Sequence, residues 1–231
     1  MDVILIPGLW LDASSWDDVV PALRDAGHTP HPLTLPGVGP HPDPDARLAD
    51  WIAAVVERID GVDPDAPGIA LVGHSGGGNV AWAAADRRPE RVSRVVFVDT
   101  APPAEGAEIS EFPVVDGLVP FPGWSFFDDP DVADLDLPTR ERWAERTHPV
   151  PGRVPTDPVV LSDPRRYGIP VTVLSGSADR AAFTAMLADW PPFLAEFDAI
   201  ADANVVELGS GHWPQFSQPQ RLARTIAAAL V

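Results

Sequence analysis

Three residue types in this chain could together carry out acyl transfer: a glycine-flanked serine, a histidine and a carboxylate, each just beyond an apolar run. Gly73-His74-Ser75-Gly76-Gly77 directly follows Ile69-Ala70-Leu71-Val72. That is G-x-S-x-G at a strand–turn–helix junction, where flanking glycines permit a tight turn that exposes the serine hydroxyl. Asp179 ends Ser175-Gly176-Ser177-Ala178-Asp179, beyond the apolar stretch 169–174, and His212 ends Gly209-Ser210-Gly211-His212, beyond 203–208. A serine hydroxyl is a weak nucleophile at neutral pH. Imidazole, with a reference pKa near 6.5, takes its proton during attack and returns it to the leaving group. A carboxylate fixes the imidazole tautomer and stabilises the charged ring. Asp179 is the expected carboxylate, with Asp99 at the end of 92–98 as the alternative. The developing oxyanion needs donors in place, and the backbone N–H groups of Gly76 and Leu9 are assigned to it.

These residues must be brought together by the elements before them. Residues 2–6 read as a short apolar strand, 15–26 as a helix with Ser14 and Asp17 as a capping box, and 29–35 as a strand whose prolines suit a sheet edge. A helix over 45–59 carries its apolar stripe at Leu48, Trp51, Ile52, Val55 and Ile59. The serine strand 69–72 leads into a helix over 77–87, and 92–98 is the next strand. After 101–166 the alternation resumes with strand 169–174, a helix near 181–187, strand 203–208 and a final helix over 218–230, with Ser217 and Gln220 as its capping box. Apolar strands alternating with helices indicate an α/β fold with a mostly parallel sheet covered on both faces. Ligands of such sheets bind beyond the carboxyl ends of the strands, so Ser75, Asp179 and His212 can meet at one edge.

Residues 1–231 read as a single domain, with 101–166 as a small inserted cap. That segment holds many prolines and aromatics, including Phe112 and Trp143, and no strand of comparable length. Its aromatics are either cap core or pocket lining. As lining, Phe121, Trp124, Phe126 and Phe127, with Trp10 and Trp213, would favour an apolar acyl or aromatic group.

Composition narrows the function classes. With 34 acidic and 16 basic residues the net charge is −18, which argues against a nucleic acid or an anionic membrane surface as partner. All sixteen basic residues are arginine, so no phosphate loop of the G-x-x-x-x-G-K type exists, and the glycine run lacks the G-x-G-x-x-G spacing. There is no cysteine, which excludes disulfides and thiol chemistry, and His28, His31, His41 and His148 show no metal-ligand arrangement. No metal or cofactor is expected. The start of the chain reads as a core strand, with no signal peptide or membrane span, and the expected location is cytoplasmic. His74 is expected to pack away from the pocket. Oligomeric state is left open.

The motifs together resemble the α/β-hydrolase-fold superfamily over essentially the whole chain, in its serine hydrolase and esterase branch. Val3-Ile4-Leu5-Ile6-Pro7-Gly8-Leu9-Trp10 resembles the strand and oxyanion loop, with Pro7 where histidine is frequent. Leu33-Thr34-Leu35-Pro36-Gly37-Val38-Gly39 resembles the Asp-Leu-Pro-Gly-x-Gly loop, with Thr34 in place of the aspartate. Val173 to Asp179 resembles the acid-bearing loop and Gly211-His212-Trp213 the histidine loop. The small size and the spacing from Leu9-Trp10 to Trp16 are similar to those of compact esterases and hydroxynitrile lyases. The resemblance implies a carboxylesterase-like enzyme that cleaves a small, mainly apolar ester through an acyl-enzyme. The alternatives are C–C bond, lactone or amide hydrolysis with the same triad, cyanohydrin lysis, and non-catalytic small-molecule binding on the same fold.

Overall fold

The computed structural model describes residues 1–230. Six parallel strands form the central sheet: β1 (Asp2–Ile6), β2 (Thr29–Pro32), β3 (Ile69–His74), β4 (Val92–Val98), β7 (Val171–Ser175) and β8 (Ala203–Glu207), in the spatial order β2-β1-β3-β4-β7-β8. The chain winds outward from β1 to β2, then returns past β1 to build the sheet on its other side. The switch point of this doubly wound α/β sheet therefore falls between β1 and β3. β2 is an edge strand, where Pro30 and Pro32 remove no donor that a second neighbour would need.

Alternation with period two divides the strand residues between two cores. Val3 and Leu5, with Ala70, Val72, Val96, Val98 and Leu174, face α1 (Val20–Asp25) and α9 (Pro219–Ala229), whose Leu23, Leu222 and Ile226 complete that layer. Ile4, Ile6, Leu71, Phe97 and Val173 face α2 (Leu48–Asp60) and α3 (Gly76–Arg87). The stripe Leu48, Trp51, Ile52, Val55 and Ile59 is the buried face of α2. Each such side chain removed from water contributes about 1.5–3 kcal/mol, which fixes the helices and hence the loops between them. Arg166 bridges Asp86 of α3 and Glu196 of α7 (Pro191–Ala199) at 3.1 and 2.8 Å, so a single guanidinium serves both buried carboxylates.

Between β4 and β7 the chain forms a separate two-stranded antiparallel sheet, β5 (Leu118–Val119) with β6 (Val150–Pro151), and the short helices α4 (Asp129–Val132) and α5 (Leu137–Ala144). Asp157 ties this region to the start of α2: it accepts from Arg47 Nε and Nη2, each at 2.7 Å, and from the Leu48 amide. No helix among the described residues is long and apolar enough to cross a membrane.

Several local expectations are corrected. The first helix is split into a 3-10 turn over Ala13–Trp16 and α1, and the cap of that turn is Asp12, whose carboxylate accepts from both the amide and the hydroxyl of Ser14. Ser217 does not cap α9, because it ends the short helix α8 (Pro214–Ser217), where its hydroxyl bonds to the Trp213 carbonyl. The helix after β7, α6 (Arg180–Leu187), is followed by the unforeseen α7, opened by Pro191-Pro192. Proline is tolerated in a first helical turn, where its missing N–H would have had no intrahelical partner.

Candidate active site

The register of the sheet places four strand ends in one row: His74 opposite Val98, Val98 opposite Leu174, and Leu174 opposite Val206. Ser75 and Asp99 are the residues immediately after their row members. Ser75 has φ 50° and ψ −128°, a region costly for a residue with a side chain, and its amide donates to the Val98 carbonyl at 3.1 Å. The turn closes this tightly because its neighbours are bare. A Cβ on Gly73 would stand 2.5 Å from the Gly77 carbonyl oxygen, and one on Gly77 would stand 2.5 Å from that of Pro7. Ser75 is thereby held at the N-terminus of α3, beneath the loop that follows β1.

That loop supplies the second wall. A Cβ placed on Gly8 would be 3.1 Å from Ser75 Cβ, and one on Gly76 would be 3.4 Å from Leu9 Cγ, so Leu9 and Gly76 flank the serine. Gly76 opens α3, so its N–H has no carbonyl to bond to within the helix. Trp10 also has a positive φ, 65°, and is fixed from the cap side: its indole N–H donates to Val119 O at 3.3 Å, and its carbonyl accepts from His148 N at 2.9 Å.

His212 Nδ1 lies 2.6 Å from Asp99 Oδ2. The other carboxylate oxygen of Asp99 accepts from Gly176 N at 2.7 Å, and its backbone, at φ 47°, donates to Leu174 O at 2.8 Å. Burial pushes the Asp99 carboxyl upward, but the hydrogen bond and charge of His212 and the Gly176 N–H outweigh it and hold it below the usual range. Asp179 is placed elsewhere, correcting the expectation for the carboxylate. It is exposed, it accepts from Ala182 N at 2.9 Å, and it is the N-cap of α6. Four residues beyond the strand end, the loop has already turned into the helix. Its contribution to the histidine is the Gly176 N–H on Asp99.

His74 is 1% exposed, yet it is among the residues that line the cavity beside Ser75, which corrects the expectation that it packs away from the pocket. Its Nε2–H donates to the His212 carbonyl at 2.8 Å, and its Nδ1 accepts from Gln215 Nε2 at 3.2 Å. Burial, reinforced by the nearby His212 charge, lowers its pKa to about 3, so the ring is neutral and serves as a strut under the histidine loop. Two contacts from the cap clamp the same loop and were not foreseen: His212 N donates to Asp131 O, and Gly211 N to the Asp134 carboxylate, both at 2.8 Å. Nothing in the sequence links 131–134 to 211–212, because the contact spans some eighty residues.

Ser75 and His212 open into one cavity of about 260 Å³, walled by Leu9, Trp10, Phe126, Phe127 and Trp213 and also by Ile109, Ser110 and Phe112, which the sequence did not single out as lining. Phe121 and Trp124, expected there, form the layer behind it. Phe121 packs on Trp10 at 5.6 Å between ring centroids, Trp124 on Trp213 at 5.0 Å, and the Trp124 indole donates to Arg140 O. Among the described residues, no group of three histidine or acidic side chains is arranged to hold a metal ion.

With this geometry in hand, known proteins are informative. A probable esterase of Oryza sativa subsp. indica is 38% identical over 109 residues, a match that spans 45% of this chain but only 40% of the rice protein. A carbendazim hydrolyzing esterase of Nocardioides is 26% identical over 247 residues, covering 97% of this chain and 98% of that one. Among solved structures, an extracellular α/β-hydrolase from a Paenibacillus species superposes with a TM-score of 0.79 at 22% identity, over 99% of this chain and 98% of that chain. An Arabidopsis methylesterase superposes with a TM-score of 0.78 at 19% identity, over 100% and 98%. At such identities the superpositions establish the shared fold. The model of the alpha/beta hydrolase family matches residues 3–225, and the chain belongs to that family.

Proposed function

We propose that the protein is a serine esterase that hydrolyses small, neutral, mainly apolar carboxylic esters. The observation that carries this reading is the 2.6 Å contact of His212 Nδ1 with Asp99, at the wall of the cavity that also holds Ser75. With Nδ1–H given to Asp99, His212 Nε2 is the free base. Ser75 Oγ attacks the ester carbonyl carbon as its proton passes to Nε2. The carbonyl oxygen gains negative charge beside the Leu9 and Gly76 amides, where one preset donor is typically worth about 3 kcal/mol. Collapse breaks the bond to the alcohol oxygen, which takes the proton from His212. Water then gives a proton to His212, attacks the acyl carbon and releases the acid, restoring Ser75.

The cavity wall favours uncharged substrate, since it carries five aromatic side chains and no arginine. Relatives named as esterases, one of them after carbendazim, support an ester over a C–C bond, lactone or amide. A cyanohydrin lyase of the resembled group would be expected to bring a lysine, and this chain has none. The test is covalent labelling by a fluorophosphonate together with release of p-nitrophenol from acetate and butyrate esters. Both are expected of the native chain and neither of Ser75→Ala. A folded protein that does neither would leave a non-catalytic binding protein as the reading.

A further inference from the structure

A second cavity, also of about 260 Å³, lies on the far side of Ile109, walled by Asn79, Thr100, Leu187, Trp190 and Phe193. Ile109 lines both cavities, and its Cγ2 lies 2.9 Å from where a Cβ on Gly76 would stand, pressed against the residue after Ser75. The threshold is anchored from behind: Ile109 N and Ser110 N both donate to Pro155 O, at 2.9 and 3.1 Å. The two cavities follow one helix, since Gly76 and Asn79 are one turn apart on the same face of α3.

Asn79 is 6% exposed, and among the described residues its side-chain amide has no hydrogen-bond partner, although it lines this second cavity. Its amide faces the space of this cavity rather than being sealed in the core, and is therefore available to something that enters. Trp190 and Met186 are 54% and 43% exposed at the same wall, large apolar side chains that no element of the fold covers.

We propose that the second cavity receives the distal part of the substrate's acyl arm, that Ile109 sets how long that arm can be, and that Asn79 hydrogen-bonds a neutral oxygen within it. The proposal rests on the esterase reading of Ser75. In the tetrahedral adduct the leaving alcohol must face His212 and the oxyanion must face Leu9 and Gly76. The acyl arm then takes the remaining direction, along α3 past Ile109 toward the second cavity. Glu108 at the rim disfavours an arm that ends in a carboxylate.

The test compares p-nitrophenyl acetate, hexanoate and 4-methoxybutanoate, the last two equal in length but different by an ether oxygen. Ile109→Ala is expected to raise the hexanoate-to-acetate ratio of kcat/KM about tenfold, the range one or two methylenes give in an apolar pocket. Asn79→Leu is expected to lower 4-methoxybutanoate about fivefold against hexanoate, as loss of one neutral hydrogen bond would. An unchanged ratio in Ile109→Ala, or equal effects on the two long esters in Asn79→Leu, overturns the proposal. Should Asn79→Leu not fold, Trp190→Ala at the exposed wall replaces it, with an expected loss of about tenfold in the hexanoate-to-acetate ratio. Calorimetric titration of Ser75→Ala protein with p-nitrophenyl 4-methoxybutanoate reads the cavity without turnover. Asn79→Leu in that background should weaken binding about fivefold, and equal affinity refutes the subsite. If instead the native chain neither labels with fluorophosphonate nor cleaves acetate, the esterase reading has failed and the titration still decides the cavity.

Discussion

The loops after β4 and β7 leave neighbouring parallel strands at the same edge, and each carries an aspartate, yet the two carboxylates have opposite fates. Asp99 follows its strand directly, turns at φ 47° and meets His212 at 2.6 Å. Asp179 comes four residues after Ser175, has φ −73° and spends its carboxylate on the first turn of α6. A residue at the strand end is aimed by the sheet, and a residue further along is aimed by the next helix. Residue type is the same in both, and only backbone direction separates them. Ser75 and Asp99, each the first residue after its strand, share this positive φ, at 50° and 47°.

The contrast can be broken at several points. Asp99→Asn should lower kcat by about 10⁴-fold with the fold intact, because an amide holds the wrong imidazole tautomer. Steady-state kinetics decides this, and full activity would refute the proposed catalytic role of Asp99. Gly176→Ala tests the loop that supports Asp99. Its Cβ would stand 2.9 Å from Asp99 Oδ1 and 2.7 Å from Ser210 O, so a loss of about 10²-fold in kcat is expected from the displaced pair. A fully active variant would show that the Gly176 contact positions nothing.

His74 gives a pH signature that the aspartates do not. Its folded pKa, about 3, lies below the unfolded value near 6.5, so the unfolded chain binds the extra proton in between. Its contribution to stability is complete above about pH 6.5 and is lost progressively as pH falls toward 3. Between pH 7 and 5 that loss amounts to about 2 kcal/mol. Denaturant melts of the native chain and His74→Gln should differ by that amount in their pH dependence, and parallel curves would refute a buried neutral ring.

The smallest effect is expected at the other aspartate. Asp179→Ala removes an N-cap, at a cost of about 1 kcal/mol and a fall in Tm of about 2–4 °C, with kcat/KM changed less than about threefold. A loss of activity comparable to that of Asp99→Asn would reverse the comparison.

The fold was largely legible because its signals are local and periodic. The runs 69–72 and 92–98 could only be buried strands between helices, and Trp51, Ile52 and Val55 marked the inner face of α2 at helical spacing. Ser75 and His212 were legible because each ends a glycine-rich turn just past such a run. The positions of Phe121 and Trp124 behind the wall, and of Ile109 and Phe112 within it, were not legible, since cap aromatics carry no periodic pattern to give them a direction. The split of the first helix turned on a competition of side chains: Asp12 took both donor groups of Ser14, the serine expected to cap the helix.

By itself, then, the sequence determined the six strands of the central sheet, that the sheet is mostly parallel, and that a serine and a histidine emerge at its carboxyl edge. It did so because hydrophobic periodicity and glycine-rich turns act over a few residues. Which carboxylate meets His212, that His74 and Asp131 brace its loop, and that Ile109 divides the space beside Ser75 were decided by the tertiary structure. Those contacts join segments far apart in the chain, and strand order and register, which no local pattern encodes, set which of them come within hydrogen-bonding reach.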